Sequence, residues 1–372
     1  LIALTLAVLL GPPIALVPDP PARVVVVHAM VLAPGLRPEE RPAWRALARV
    51  LRDGTRTRTR ADLASLSFRA EPLAATMTLS VQTPRANLGE AVDALASVVT
   101  EPSFDPEDLA AACAERPLAD PWTLALVGDD GHRAEPDAVR ELYRRAFRPE
   151  RVRWAIGGGG DLEAAQGRLA AALADWRPPR APTPRPARRI PERPRRGDVR
   201  VLELRGETIR LTEETAPTLV ALFALGVGKQ GALHRVAREA KGWSYRQELV
   251  LWPEPTGWRP RLVLARAASG VTPDELRAAL FDDVATWTDE TRLVASAMLS
   301  ACLGPGMVSS PWYLGPKRVM DGDVYARTDF ALWFHLHGAP HPPLAAAETI
   351  TLDQLRKKAA SWLRSARAVE HR

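Results

Sequence analysis

"ALHRVAREAKGWSYRQELVLW", residues 232–252, carries the most information per residue in this chain. Its first part has helical spacing and ends at Gly242, a residue suited to the left-handed position that closes a helix. A strand then begins near Tyr245. A helix end beside an edge strand is a place where an extended peptide can lie, with an arginine such as Arg238 gripping a carbonyl or carboxylate and a tyrosine such as Tyr245 offering its hydroxyl. Taken alone, a solvated arginine and a strand tyrosine are the ordinary reading of the same residues.

Working outward, the next elements are a strand in "RPRLVLARA" (259–267), a capped helix in "TPDELRAALFDDVATW" (272–287) and a further helix in "TDETRLVASAMLSACL" (288–303). The same order occurs earlier in the chain. "ATMTLSVQT" (75–83) alternates as a strand, "NLGEAVDALASVV" (87–99) has helical period, and "DPEDLAAACAERP" (105–117) opens a helix with Asp105 as N-cap. Strand, helix, helix recurs at a spacing of about 185 residues, far too long for a solenoid, and points to a duplicated α+β domain. "IALVPDPPARVVVVHAMV" (14–31) reads as two strands around a Pro-Asp-Pro turn, and "RVRWAIGGGGDLEAAQGRLAAALADW" (151–176) as strand, glycine turn and helix.

Between the two halves lies "RPPRAPTPRPARRIPERPRRG", 177–197, with seven prolines and no apolar period, the composition of an extended, semi-rigid linker. The expected organisation is therefore 1–13 as a possible signal-sequence remnant, 14–176 and 198–372 as two sheet-plus-helices domains, and 177–197 as their connector. The linker also explains the charge. It holds eight arginines against Glu192, a local +7 within a total of +6, which leaves the rest of the 372 residues at −1. A distributed basic face of the kind that follows a phosphate backbone is excluded by that balance, so no nucleic-acid partner is expected.

Hydrophobic residues make up 46% and charged residues 25%, values of a globular chain with enough apolar sequence for real cores. Cys113 and Cys302, one in each half, offer neither a disulfide framework nor a thiolate metal cluster. "LIALTLAVLL" (1–10) is an uncharged apolar run of signal-sequence length, too short for a membrane span. With no initiator Met before it, it reads as what remains of a secretory h-region, and a periplasmic or secreted location is expected. An N-terminal core strand is the alternative.

Three local motifs carry little. Gly157 to Gly160 lacks the spacing of a dinucleotide loop, and Asp161 after it would repel phosphate, so a tight turn is expected. "GVGKQG" (226–231) fails as a phosphate loop because Gln230 follows Lys229 and Phe223 stands where the first glycine belongs. His335, His337 and His341 form an imidazole cluster with no carboxylate at a ligand interval, and a metal-dependent enzyme built there is the weakest reading.

"GALHRVAREAKGWSYR" (231–246) resembles the second-half signature of the pitrilysin/insulinase-type metallopeptidases, the inverzincins, a family that includes the mitochondrial processing peptidases. That signature is written S-R-L-x-x-x-x-R-E-x-x-G-L-A-Y-S, and Leu233, Arg238, Glu239, Gly242 and Tyr245 fall at matching intervals. "TEPSFDPEDL" (100–109) is similar to the family's N-P-x-F-x-x-E-x-L run, and "VVVVHAMVLAPG" (24–35) to its second strand and glycine turn. The likeness extends over most of 14–365. It implies two α+β domains of the inverzincin type, together forming half of a clamshell.

The resemblance also interprets "RPAWRALARVLRDGTRT" (41–57). In active members the helix before the Gly-Thr turn carries H-x-x-E-H, two imidazoles that bind zinc and a glutamate that activates water. Aligned on Gly54 and Thr55, Arg45 and Arg49 stand at the two histidine positions and Ala48 at the glutamate. A guanidinium has no lone pair to offer a cation. The third ligand, a glutamate a few residues beyond Glu115, is met by Leu118 and Ala119, and the stretch 119–136 is shorter than the family norm.

The resemblance thus implies no metal, no cofactor and no catalytic residue in this chain. It further implies that Arg238 and Tyr245 contact the backbone of a peptide substrate, and that the partner is a zinc-bearing homologous peptidase subunit. Gly231 and Ala232 replace the family's Ser-Arg, and its preceding glycine pair is degraded around Val227 and Gly228. A purely structural assembly subunit, without a peptide-binding role, is the alternative.

Overall fold

The computed structural model describes residues 14–33, 35–72, 76–115, 133–177, 200–210, 212–254, 257–303 and 347–371, together with Val324, Thr328, Ala331 and Leu332. Apart from Arg177, the Pro/Arg stretch 177–197 lies outside these residues, as do Leu1 to Leu10, Leu118, Ala119 and the His335–His341 cluster. Two compact units are present. The described residues of 14–177 form the first, with Thr328, Ala331 and Leu332; those of 200–303 and 347–371 form the second, with Val324. Each is a mixed α and β structure with its own sheet.

In the first unit β1 (Ile14–Pro18), β2 (Val24–Leu32), β3 (Arg69–Pro72), β4 (Thr76–Pro84) and β5 (Val152–Gly158) form a sheet in the order β1-β5-β2-β4-β3. Only β1 and β5 run parallel. The β-branched run of β2 favours an extended chain buried on both sides, and every residue from Val25 to Leu32 is buried. Alternation in β4 sends Met77, Leu79 and Val81 into the apolar core while Thr76, Thr78 and Ser80 occupy the other face, also out of solvent. On that polar face the fully buried His28 stands opposite Ser80 of β4 and Ala155 of β5.

Helices α1 (Arg41–Asp53), α2 (Arg60–Ser65), α3 (Leu88–Thr100), α4 (Pro106–Ala114), α5 (Pro136–Ala146) and α6 (Leu162–Leu173) complete the unit. Helix α3 packs on β2 and β4, and α1 lies against β3, α4 and α5. Asp105 caps α4 as expected, accepting from the amides of Glu107 and Asp108 at 2.9 and 3.2 Å. The glycine run is a tight turn. A Cβ at Gly158 or Gly159 would strike the carbonyls of Val24 and Ala22, and Asp161 caps α6 by accepting from the amide of Ala164 at 2.9 Å. The space a side chain would need at Gly157 is taken by Thr328.

The second unit repeats the plan. β6 (Val201–Arg205), β7 (Arg246–Glu254), β8 (Gly257–Ala265) and β9 (Arg367–His371) form an antiparallel sheet in the order β7-β8-β6-β9. Helices α7 (Ala216–Gly226), α8 (Ala232–His234), α9 (Pro273–Ala285), α10 (Asp289–Leu303) and α11 (Leu352–Ser365) accompany it. The strand, helix, helix order of β4, α3 and α4 returns as β8, α9 and α10. Helix α7 is apolar on all sides, and it approaches the sheet through Gly226, where a Cβ would come within 2.5 Å of Leu249. Capping boxes Thr272/Glu275 and Thr351/Gln354 start α9 and α11. No helix among the described residues is long and apolar enough to cross a membrane.

Two local devices make measurable predictions. Gly54, which ends α1, has φ +144°, and a Cβ there would lie 2.8 Å from the Arg58 carbonyl oxygen. Backbone on both sides prevents relaxation, so Gly54→Ala should cost about 2 kcal/mol in chemical denaturation. Just before α1, the carboxylate of Glu40 receives both Nη groups of Arg145 from α5 at 2.8 Å, and Arg37 at 3.0 Å. Burial alone would push its pKa up, but the hydrogen bonds from Arg145 and Arg37 outweigh burial and hold it down at about 2, against an ordinary 4.5. A carboxyl with a lowered folded pKa stabilises the fold fully above its unfolded value and loses that contribution as the pH falls through the folded one. Glu40→Gln should therefore destabilise the protein by about 1–2 kcal/mol at pH 7, and denaturation curves of the two proteins should converge between pH 4.5 and about 2.

Candidate functional site

Helix α1 has its apolar stripe intact. Ala43, Trp44, Ala46, Leu47, Val50 and Leu51 are buried, and the Trp44 indole donates to the Thr76 carbonyl at 3.1 Å, pinning the helix to the start of β4. Arg45 and Arg49 lie one turn apart at half-buried positions, and Ala48 is buried. Arg49 is committed to acids at two places: its Nε lies 3.5 Å from Asp53 and its Nη1 lies 3.4 Å from Glu115, at the end of α4. Asp53 is also 3.6 Å from Arg60. Burial raises the Asp53 pKa, with the positive charge of Arg49 acting against the rise. Burial likewise lowers the pKa of the neighbouring Arg52.

This arrangement does not fit a metal ion. Arg45 and Arg49, which the resemblance aligns with two imidazoles, are cations without a lone pair, Ala48 offers no carboxylate, and Asp53 and Glu115 are engaged by Arg49. No group of three His, Cys, Asp or Glu side chains that could hold a metal occurs among the described residues. Leu118 and Ala119, aligned near the third ligand, are outside them.

Arg238 and Tyr245 meet at the surface of the second unit. The Arg238 guanidinium carbon sits 5.5 Å from the centre of the Tyr245 ring, close enough for a cation–π contact, and Tyr245 is 82% exposed. Two exposed donors held side by side, at the entry to the terminal strand β7, are suited to an extended backbone, whose carbonyls need partners.

Their placement depends on backbone that the sequence pattern did not predict. The expected regular helix over 232–242 is α-helical only through His234, after which Arg235–Ala240 is a π-helical turn with the wider i→i+5 bonding. Gly242 then takes φ +61°, and the amides of Trp243 and Ser244 donate to the Ala237 carbonyl at 2.6 and 3.3 Å. The buried Ser244 hydroxyl donates to the Ala265 carbonyl of β8 at 2.5 Å and accepts from the Arg246 amide at 3.0 Å, so the backbone on both sides of Tyr245 is tied to the sheet. The turn Gly228–Gly231, with Gly228 at φ +65°, joins α7 to α8 and has no phosphate-loop form. Beside it a cleft of about 240 Å³ is lined by Phe223, Val227, Arg235, Trp287 and Met298.

Compared by sequence, the chain matches no protein-family model and no curated protein. Its fold matches solved structures along nearly its whole length. A peptidase M16 inactive domain from Pseudomonas fluorescens superposes with a TM-score of 0.66 at 14% identity, over 97% of this chain and 95% of that one. A protease from Helicobacter pylori gives 0.71 at 10% identity, over 97% and 96%. The periplasmic protease PqqL from Escherichia coli gives 0.60 at 15% identity; 97% of this chain is covered but 46% of that one, so the present chain spans about half its length. A predicted insulinase family protease from Yersinia pestis is also similar, with a TM-score of 0.58 at 14% identity, over 97% and 90%. The chain thus has the α+β, two-sheet fold of the M16, insulinase-type peptidases that its sequence resembles.

Proposed function

We propose that this chain is a peptidase-like subunit that does not cleave on its own. It holds an extended peptide through Arg238 and Tyr245 and pairs with a zinc-bearing homologue, which supplies the metal and the attacking water. The observation that carries the non-catalytic reading is the ion pairing of Arg49 with Asp53 and Glu115 beside the buried Ala48. Without a lone-pair donor at positions 45 and 49 or a general base at position 48, water has neither a Lewis acid nor a proton acceptor at these positions. The M16 structure from Pseudomonas fluorescens, described as an inactive domain, supports the same reading.

Pairing is supported by length. PqqL, described as a protease, is about twice as long as this chain and includes one matching portion, which leaves room for a second half. Its description as periplasmic favours a periplasmic or secreted location here as well. The peptide-binding role rests on the exposure and mutual contact of Arg238 and Tyr245. No nucleic-acid partner is part of this reading, and neither is a membrane span.

Two measurements test the proposal. The purified chain, incubated with zinc chloride and dialysed, should retain well under one zinc per chain by atomic absorption and should leave a fluorogenic peptide library intact; stoichiometric zinc or cleavage by the chain alone would overturn it. With a co-purifying zinc-bearing homologue, Arg238→Ala and Tyr245→Ala should each reduce peptide cleavage about 10- to 100-fold, the value of one or two lost charge-assisted hydrogen bonds. Both variants should leave the assembly intact on size-exclusion chromatography. Cleavage unchanged in both variants would instead establish an assembly subunit with no peptide contact.

A further inference from the structure

Arg238 is carried on a π-helical turn, which contains one residue more than an α-helical turn and persists where other groups hold it. Its first residue, Arg235, is bound by Asp283 on α9. Its carboxylate accepts a fork from Arg235, Nε at 3.2 Å and Nη2 at 2.6 Å, and a third hydrogen bond from the Trp287 indole at 2.8 Å. Arg235 also donates through Nη1 to the Gln230 carbonyl, so one guanidinium spans the entry turn and α9. Trp287 is buried, and its carbonyl accepts from Arg356 of α11. The Asp283 side chain is only 13% exposed, where charge-assisted bonds to a fixed fork are strong.

Arg235 is the first residue of the π turn and Arg238 the fourth. If the turn relaxed to α geometry, which holds fewer residues per turn, the steps from Arg235 to Arg238 would wind through a wider angle and rotate Arg238 about the helix axis. That rotation would carry the Arg238 guanidinium away from the Tyr245 ring. Tyr245 itself is anchored separately through Ser244. Although the Trp243 and Ser244 amides also reach the Ala237 carbonyl, only the Arg238 side of the pair is braced through a carboxylate, that of Asp283.

We propose that Asp283 is a positioning residue: acting through Arg235, it sets the π turn that places Arg238 over Tyr245. The inference rests on the reading of that pair as the peptide contact, but its first test requires no peptide. In the full chain labelled with 13C-tyrosine, the Tyr245 ring resonance is identified by its loss in Tyr245→Phe. Asp283→Ala should move that resonance to its position in Arg238→Ala, and Asp283→Glu should restore most of the shift. Arg277→Ala breaks an ion pair to Asp274 at 3.2 Å on the same helix, and it should leave the resonance in place.

In the partner-dependent assay Asp283→Ala should raise KM about tenfold with kcat within about twofold, as expected when binding geometry rather than chemistry is disturbed. A Tyr245 resonance unchanged by Asp283→Ala, or moved equally by Arg277→Ala, overturns the positioning role. A specific shift with unchanged KM keeps that role and removes the peptide reading instead.

Discussion

The ion pairing of Arg49 with Asp53 and Glu115 is the interaction on which the non-catalytic reading of the first unit rests. Its guanidinium meets both carboxylates, with Arg60 also beside Asp53, and ties the end of α4 to the last turn of α1. The guanidinium itself cannot bind a cation, because every nitrogen is a donor. Long basic side chains sit comfortably at half-buried positions, where the alkyl stem covers apolar surface and the charge reaches its partners. The core-facing side of α1, from Ala43 to Leu51, is packed as a structural helix should be.

Each unit also joins a pair of helices through a shielded carboxylate that receives a forked arginine. Glu40 takes Arg145 in the first unit, and Asp283 takes Arg235 in the second. Burying such an acid is costly unless its oxygens are fully engaged, which here they are, by Arg37 in one case and Trp287 in the other. Apolar burial supplies most of the cohesion of both units, but it is non-directional. The forks add direction, selecting one relative placement of the helices they connect.

Much of the architecture was legible in local pattern. The spans expected at 75–83, 87–99, 259–267, 272–287 and 288–303 lie within about two residues of β4, α3, β8, α9 and α10. Caps and turn glycines carry enough local energy to mark element ends, as Asp105, Gly158 and Asp161 illustrate. Strands β6 and β9 were not read in advance. They are short, and β9 becomes a strand only by pairing with β6 across more than 160 residues of chain. The π turn was also missed, since a residue pattern built on a period of 3.6 does not distinguish it from a regular helix. Motif spacing singled out Arg238 and Tyr245 but not their mutual contact, and it did not reach Asp283, because an acid on α9 has no sequence relation to the π turn.

By itself, the sequence determined most of the secondary elements, their repeated order, and the identities of the side chains on α1, because these follow from periodicity, capping chemistry and proton affinity within a few neighbouring residues. Only the tertiary structure decided that Glu115 would answer Arg49, that Asp283 would brace Arg235, and that Arg238 would lie over Tyr245. Those contacts join positions up to 66 residues apart. Their geometry is set when the helices pack, and no local preference specifies it.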